Sequence, residues 1–227
     1  MSGATQSAIA VLEQSSSEVS SWSVSIGKRA FDLTLSAVGL MCISPLMLLI
    51  ALVIKSTSAG PVLYRQIRVG RHGICFELLK FRSMKAASGP LLTRRGDQRI
   101  TPVGRVLRRT KLDELPQLFN VLVGDMTLVG PRPDLPQYWS TLTDRYRAIS
   151  QLRPGITGCA SLRFSNEERL LASIPEEDLD VYYISNHLPL KVQLDLDYAT
   201  RATFFSDLRV LWATVTGLGK AVLEVSE

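Results

Sequence analysis

The residues best suited to chemistry lie together in Arg108-Arg109-Thr110-Lys111-Leu112-Asp113-Glu114-Leu115-Pro116. Two adjacent carboxylates follow a cationic cluster and precede an apolar run. That order reads as one helix ending in positive charge, a short joint, and a second helix opening in negative charge. Asp113 can cap the second helix, Glu114 falls in its first turn, and Pro116 is tolerated so early. Capping alone would account for Asp-Glu-Leu-Pro in any protein. The neighbours point further. A carboxylate beside Arg108, Arg109 and Lys111 is expected to stay ionised, able to attack phosphorus or to hold a divalent cation. The same cations can hold phosphates.

The 227 residues suit one domain with a real core. A formal charge of +5 and a pI near 9.3 call for an anionic partner: nucleic acid, a lipid surface or a phosphorylated substrate. The charge is polarised. Residues 65–111 carry 13 basic side chains against Glu77 and Asp97, whereas residues 112–200 carry 13 acidic and 7 basic. Cys42, Cys75 and Cys159 are scattered, without metal-ligand spacing, and read as free thiols of a reducing compartment. With only His72 and His187, catalytic triads and histidine metal centres are disfavoured.

The elements that must position the carboxylates follow from the pattern. Residues 1–25 read as a disordered Ser/Ala/Gln-rich tail and not as a signal peptide. Leu33 to Ile54 is an uncharged run of 22 residues, long enough to span a bilayer. Lys28 and Arg29 precede it and Lys55 follows, so the flanks nearly balance. Pro45 removes an amide donor and frees the Met41 carbonyl, and Ser44 can supply local hydrogen bonds. A kink at Ser44 and Pro45 would let residues 26–55 dip in and return to the same face as a re-entrant helix-break-helix. A kinked spanning helix and a buried core helix are the competing readings.

Residues 61–84 read as a β-hairpin turning at Gly70 to Gly73, with Lys80, Arg82 and Lys85 facing solvent or anionic headgroups. A loop is expected over 86–97 and a basic helix over 104–109. Leu118, Phe119, Val121, Leu122 and Val123 make the apolar side of a short helix stopping at Gly124. In Pro131-Arg132-Pro133 two prolines fix the backbone, so Arg132 loses little entropy on meeting a phosphate or nucleotide; a plain rigid turn has the same pattern. Leu135, Tyr138 or Trp139, Leu142, Tyr146 and Ile149 recur at helical spacing. Asp195 and Asp197 read as helix-surface acids. Ser206 is expected to cap a last helix whose Leu208, Leu211, Trp212 and Val215 stripe suits core, a partner, or the bilayer surface.

Several motifs occur in order: the Ser-Pro-broken helix, Lys80-Phe81-Arg82-Ser83-Met84, Leu112-Asp113-Glu114-Leu115, Phe119-Asn120-Val121-Leu122, Gly124-Asp125-Met126, Val129-Gly130-Pro131-Arg132-Pro133 and Arg153-Pro154-Gly155-Ile156-Thr157-Gly158. As a set, over residues 26–218, they resemble the bacterial sugar transferases, the monotopic polyprenyl-phosphate phosphoglycosyl transferases. The resemblance implies an α/β fold, mostly helical with a small β-hairpin, carrying a re-entrant membrane helix and amphipathic interfacial helices. Its catalytic domain, residues 56–218, would face the cytoplasm at the bacterial inner membrane, before a C-terminal tail of 219–227. It implies transfer of a sugar 1-phosphate from a nucleotide diphosphosugar, usually a UDP-sugar, to a polyprenyl phosphate such as undecaprenyl phosphate. UMP leaves, and polysaccharide or glycoconjugate assembly begins.

By the same resemblance Asp113 is the nucleophile, Glu114 with Asp113 holds Mg²⁺, Arg108 meets the lipid phosphate, and Pro131, Arg132 and Pro133 meet the nucleotide. Lys80 and Asp180, which stands before Val181-Tyr182-Tyr183, complete the candidate substrate-binding set. The chain departs after Gly158, where many members continue with a tryptophan and a glycine-arginine pair. Here it reads Cys159-Ala160-Ser161-Leu162-Arg163-Phe164-Ser165-Asn166-Glu167-Glu168, as in a second branch, so no sugar preference is carried over. Nucleic acid is not an expected partner, for want of a binding motif. A homodimer is left open, and a non-catalytic basic membrane adaptor is the alternative to the enzyme.

Overall fold

The computed structural model describes residues 19–85, 92–93, 96–141 and 149–217. Most of the expected 86–97 loop, the helix positions Leu142 and Tyr146, and nearly all of both tails lie outside them. The chain is held earlier than the boundary expected at residue 25. The Ser20 amide donates to the Ala199 carbonyl, and Trp22–Val24 forms a 3₁₀ turn.

Helix α1, Ile26–Thr57, opens on Ser25, whose hydroxyl accepts the Lys28 amide. It is continuous through Ser44 and Pro45, which corrects the expected break. The local chemistry explains the continuity. The Ser44 hydroxyl donates to the Met41 carbonyl at 3.0 Å, replacing the amide that Pro45 lacks. Lys28, Asp32, Ser36 and Leu40 are buried at i,i+4 spacing, then Ile50 and Ile54. Between them Met41, Leu46, Leu48 and Leu49 are exposed. Only 11% of the most apolar window is buried, so the core-helix reading is excluded.

Both ends of α1 are fastened to the same body. At the start, the Lys28 ammonium pairs with Asp207 at 2.5 Å, in a site where both side chains are less than a tenth exposed. Asp207 also accepts the Trp22 indole N–H at 2.8 Å and the Tyr198 hydroxyl at 2.5 Å. Removing that carboxylate would leave the buried ammonium only Asp32, at 4.0 Å. Asp207→Ala should therefore destabilise the fold by about 3–5 kcal/mol, read as a lowered denaturant midpoint in detergent. At the far end, Arg82 donates to the Ser58 carbonyl and hydroxyl, each at 2.8 Å, and Ile50 and Ile54 pack with Phe81 and Leu107. Arg82 is thus a buried clamp on a helix end, not one of the residues facing solvent or headgroups.

The hairpin forms as expected. β1 (Leu63–Val69) and β2 (Cys75–Phe81) pair antiparallel from Leu63↔Phe81 to Val69↔Cys75. Helix α2, Pro102–Thr110, is capped by Thr101. Helix α3, Gln117–Val123, stops at Gly124 in the left-handed conformation, φ 106°. Asn120 ties α3 to β2, accepting the Leu79 amide at 3.0 Å and donating to the Glu77 carbonyl at 2.7 Å.

A second, parallel pair was not foreseen: β3 (Thr127–Val129) with β4 (Gly155–Thr157). It depends on close backbone approach, because a Cβ on Gly155 would lie 2.2 Å from the Gly130 nitrogen. Short helices follow at Pro136–Trp139 (α4), Cys159–Arg163 (α5), Glu167–Leu170 (α6) and Leu179–Tyr182 (α7). A π turn at Tyr183–His187 leads into α8, Leu188–Arg201, and α9 is Phe204–Thr216. Thr203, not Ser206, is the N-cap of α9, and Ser206 is its capping-box partner. Leu208, Trp212 and Val215 are exposed, so most of that stripe is not core. Mostly helical with two small sheets, the fold agrees with the α/β expectation.

Candidate active site

Lys111 ends α2 in the left-handed region, φ 60°, and turns the chain into a 3₁₀ turn, Leu112–Glu114. Helix α3 begins only at Gln117, with Pro116 as its N-cap residue. Asp113 makes no capping hydrogen bond, which overturns the capping reading. It is 5% exposed, and its Oδ1 has no hydrogen-bond partner among the described residues. Burial pushes its carboxyl above the usual range; Glu114 adds to this, while Lys80, Arg108 and Lys111 oppose it. Desolvation is the larger effect, so burial sets the direction of the shift against the neighbouring cations.

Glu114 is the opposite case. Its Oε1 accepts the Lys80 ammonium and an Arg132 guanidinium nitrogen, each at 2.8 Å. Burial works against its charge, yet Arg132 and Lys80 together hold it well below the ordinary carboxylate range. Strand β2 supplies Lys80. Arg132 comes from the loop after β3, where the Gly155 amide donates to the Pro131 carbonyl at 2.7 Å and Arg68 donates to the Pro133 carbonyl at 3.0 Å. The structure therefore brings Lys80, Glu114 and Arg132 together, with Pro131 and Pro133 flanking the arginine.

Arg108 lies on α2, where its Nη2 donates to Glu168 of α6 and its Nε is buried without an acceptor. Gln117 Nε2 is likewise buried and unpartnered. With Asp113 Oδ1, these are three such atoms within residues 108–117. Each costs about 1–3 kcal/mol, so their concentration marks a place built for something other than stability. Asp180 is not brought in. It is exposed and accepts the Tyr138 hydroxyl at 2.6 Å, outside the Glu114 network.

A bacterial sugar transferase sequence profile matches residues 23–221. The chain belongs to the bacterial sugar transferase family. At 39% identity over 207 residues it is similar to an undecaprenyl-phosphate glucose phosphotransferase of Komagataeibacter xylinus, covering 87% of this chain and 36% of that protein. A UDP-glucose:undecaprenyl-phosphate glucose-1-phosphate transferase of Caulobacter vibrioides is 38% identical over 201 residues, 86% of this chain and 70% of its own length. A UDP-N-acetylgalactosamine-undecaprenyl-phosphate N-acetylgalactosaminephosphotransferase of Aeromonas hydrophila is 40% identical over 168 residues, 70% of this chain and 39% of the relative. The chain thus spans little more than a third of two of these relatives.

Several side chains of this family member were not singled out in the sequence. Beside Arg132 lies a cleft lined by Asp134, Trp139, Lys191 and Asp195. Asp134 accepts the Tyr183 hydroxyl at 3.1 Å, and the Lys191 ammonium pairs with Glu167 at 2.5 Å. Asp195, expected at a helix surface, is buried. Desolvation lifts its carboxyl to about 7 against the backbone hydrogen bonds from Ala160 and Arg132. The spacing did hold a signal, since Leu188, Val192, Asp195 and Ala199 form one buried stripe of α8. Because its folded pKa is raised, the stability tied to Asp195 is fully present below about pH 4 and is lost as pH rises through about 7. Asp195→Asn should flatten that slope, measured as melting temperature between pH 5 and 8.

The family implies Mg²⁺, and the donor set can be tested. Among the described residues no three His, Cys, Asp or Glu side chains form a metal cage. Mg²⁺ more often takes one or two carboxylates with substrate phosphate oxygens. Asp113, with an open Oδ1, and the ionised Glu114 fit a cation that arrives with a diphosphate.

Proposed function

We propose that the chain transfers a sugar 1-phosphate from a UDP-sugar to undecaprenyl phosphate or a related polyprenyl phosphate, through a phosphosugar carried covalently on Asp113. One observation carries the reading: a buried carboxylate without a structural partner, beside a glutamate whose two cations keep it ionised. The activities for which the relatives are named agree in acceptor and differ in sugar, glucose in some and N-acetylgalactosamine in another. The adaptor alternative needed Asp113 as a cap, a role it does not have.

In the first step an Asp113 oxygen attacks the sugar-linked phosphorus, and the bond to the bridging oxygen breaks as UMP leaves. In the second, a polyprenyl phosphate oxygen attacks the same phosphorus and frees the carboxylate. Donor and product are both phosphoanhydrides, so the exchange is nearly balanced, and the barrier is the approach of anion to anion. Arg132 and Lys80 offset donor charge and Arg108 that of the acceptor. Asp113 and Glu114 would hold Mg²⁺, which would supply further charge neutralisation when bound. At 5% exposure Asp113 must be uncovered as substrates bind.

Both ends of α1 rest on one body while Met41, Leu46, Leu48 and Leu49 of its apolar middle are exposed, which supports a helix that bends at Pro45, dips into one leaflet and returns. The exposed apolar stripe of α9 supports an amphipathic face in the same interface, with the catalytic domain on the cytoplasmic side of the inner membrane. Incubation with UDP-sugar alone tests the chemistry. A phosphosugar should appear by mass spectrometry on a peptide containing Asp113, and UMP should be released without acceptor. Labelling elsewhere, or none with any UDP-sugar in a panel, would sink the reading.

A further inference from the structure

The segment after Gly158, where this chain leaves the commoner family pattern, folds into α5 and α6 and brings a carboxylate onto Arg108. Glu168 has this one partner among the described residues, and its side chain is 47% exposed against 21% for the arginine. Its neighbour Glu167 is fixed elsewhere, by Lys191 at 2.5 Å and His187 Nδ1 at 3.4 Å. Helix α6 is thus moored to α8 by one glutamate and reaches α2 with the next. The moorage is incomplete, because Arg108 keeps a buried Nε–H with no acceptor.

We propose that Glu168 is an internal competitor that occupies Arg108 and is displaced by the terminal phosphate of the polyprenyl acceptor. This rests on the reading of Arg108 as the acceptor-phosphate residue. A phosphate monoester carries about −1.5 to −2 charge at neutral pH and three acceptor oxygens, enough to take both Nη2 and the unused Nε. Glu168 offers one charge, and each phosphate of a UDP-sugar also carries only one. The displacement cost raises the dissociation constant of every anion at Arg108 alike, so only the dianion binds well at working concentrations. Half-exposed Glu168 can turn into water without unfolding anything.

The test titrates farnesyl phosphate into the full chain in detergent, comparing wild type, Glu168→Gln, Arg108→Gln and the double variant. Glu168→Gln is expected to bind about two- to fivefold more tightly. In the Arg108→Gln background the same change should do nothing, and farnesol, without the phosphate, should not distinguish the proteins. Unchanged or weaker binding by Glu168→Gln overturns the proposal, as does a gain that persists without Arg108 or extends to farnesol. Donor-only labelling of Asp113 on the same wild-type sample is read separately. Its failure would count against the transfer chemistry and leave the binding result intact.

Discussion

Asp113→Asn should lose essentially all turnover, by about 10³-fold or more, and yet fold at least as stably as the wild type near pH 7.5. The first half follows from nucleophilic attack, since an amide cannot accept and return the phosphosugar. The second follows from burial. Desolvation raises the Asp113 pKa in the folded protein, so its stability contribution is fully present below the unfolded value near 4 and is lost as pH rises through the folded value. At neutral pH, above the unfolded value, the raised carboxyl costs the fold stability, and asparagine relieves that cost. UMP release and thermal melts on one preparation measure both halves. A variant that stays active, or that melts many degrees lower, would make Asp113 a structural residue. By the same shift, the acid limb of wild-type UMP release should lie above the pH expected of an ordinary aspartate.

Glu114→Gln is expected to fail in both respects. Its carboxylate neutralises two cations, and the Lys80 and Glu114 side chains are 17% and 12% exposed. Arg132 is 34% exposed, so its share is discounted for screening. A loss of about 2–4 kcal/mol is expected at neutral pH, with turnover falling as Lys80 and Arg132 lose their shared anchor. The pH dependence has the opposite sign to that of Asp113. A depressed glutamate contributes stability above the unfolded value near 4.3 and loses it as pH falls through the folded one. Denaturant midpoints of wild type and Glu114→Gln should therefore converge below pH 4. A gap that stays constant into acid would mean that the charge of Glu114 is not what the fold uses.

The local elements were legible because their signals are local. Gly70 to Gly73 closes the hairpin, Gly124 stops α3, and Lys111 stands where a joint was expected. The grouping of Lys80, Glu114 and Arg132 was legible only through the ordered motifs, since residues 34 and 18 positions apart meet by tertiary packing. Other features were hidden for physical reasons. Burial reverses what neighbouring charge suggests for Asp113. The parallel β3–β4 pair joins segments with little strand character, through two glycines. Asp207, Glu167 and Glu168 gain their meaning from Lys28, Lys191 and Arg108, far along the chain. The proline in α1 was read as a breaker, but a neighbouring hydroxyl was enough to keep the helix whole.

Lys80 lies in β2 and Arg82 just past its end at Phe81, one holding Glu114 and the other gripping the outgoing end of α1. Two residues of extended chain span about 7 Å, and the Arg82 amide still donates to the Val62 carbonyl at 2.8 Å. On the proposed reading, the altitude of the reaction centre above the lipid boundary is graduated in this hydrogen-bonded backbone and not in a flexible tether, so an isoprenoid anchored by its tail would present its head at a fixed level without being hoisted from the leaflet.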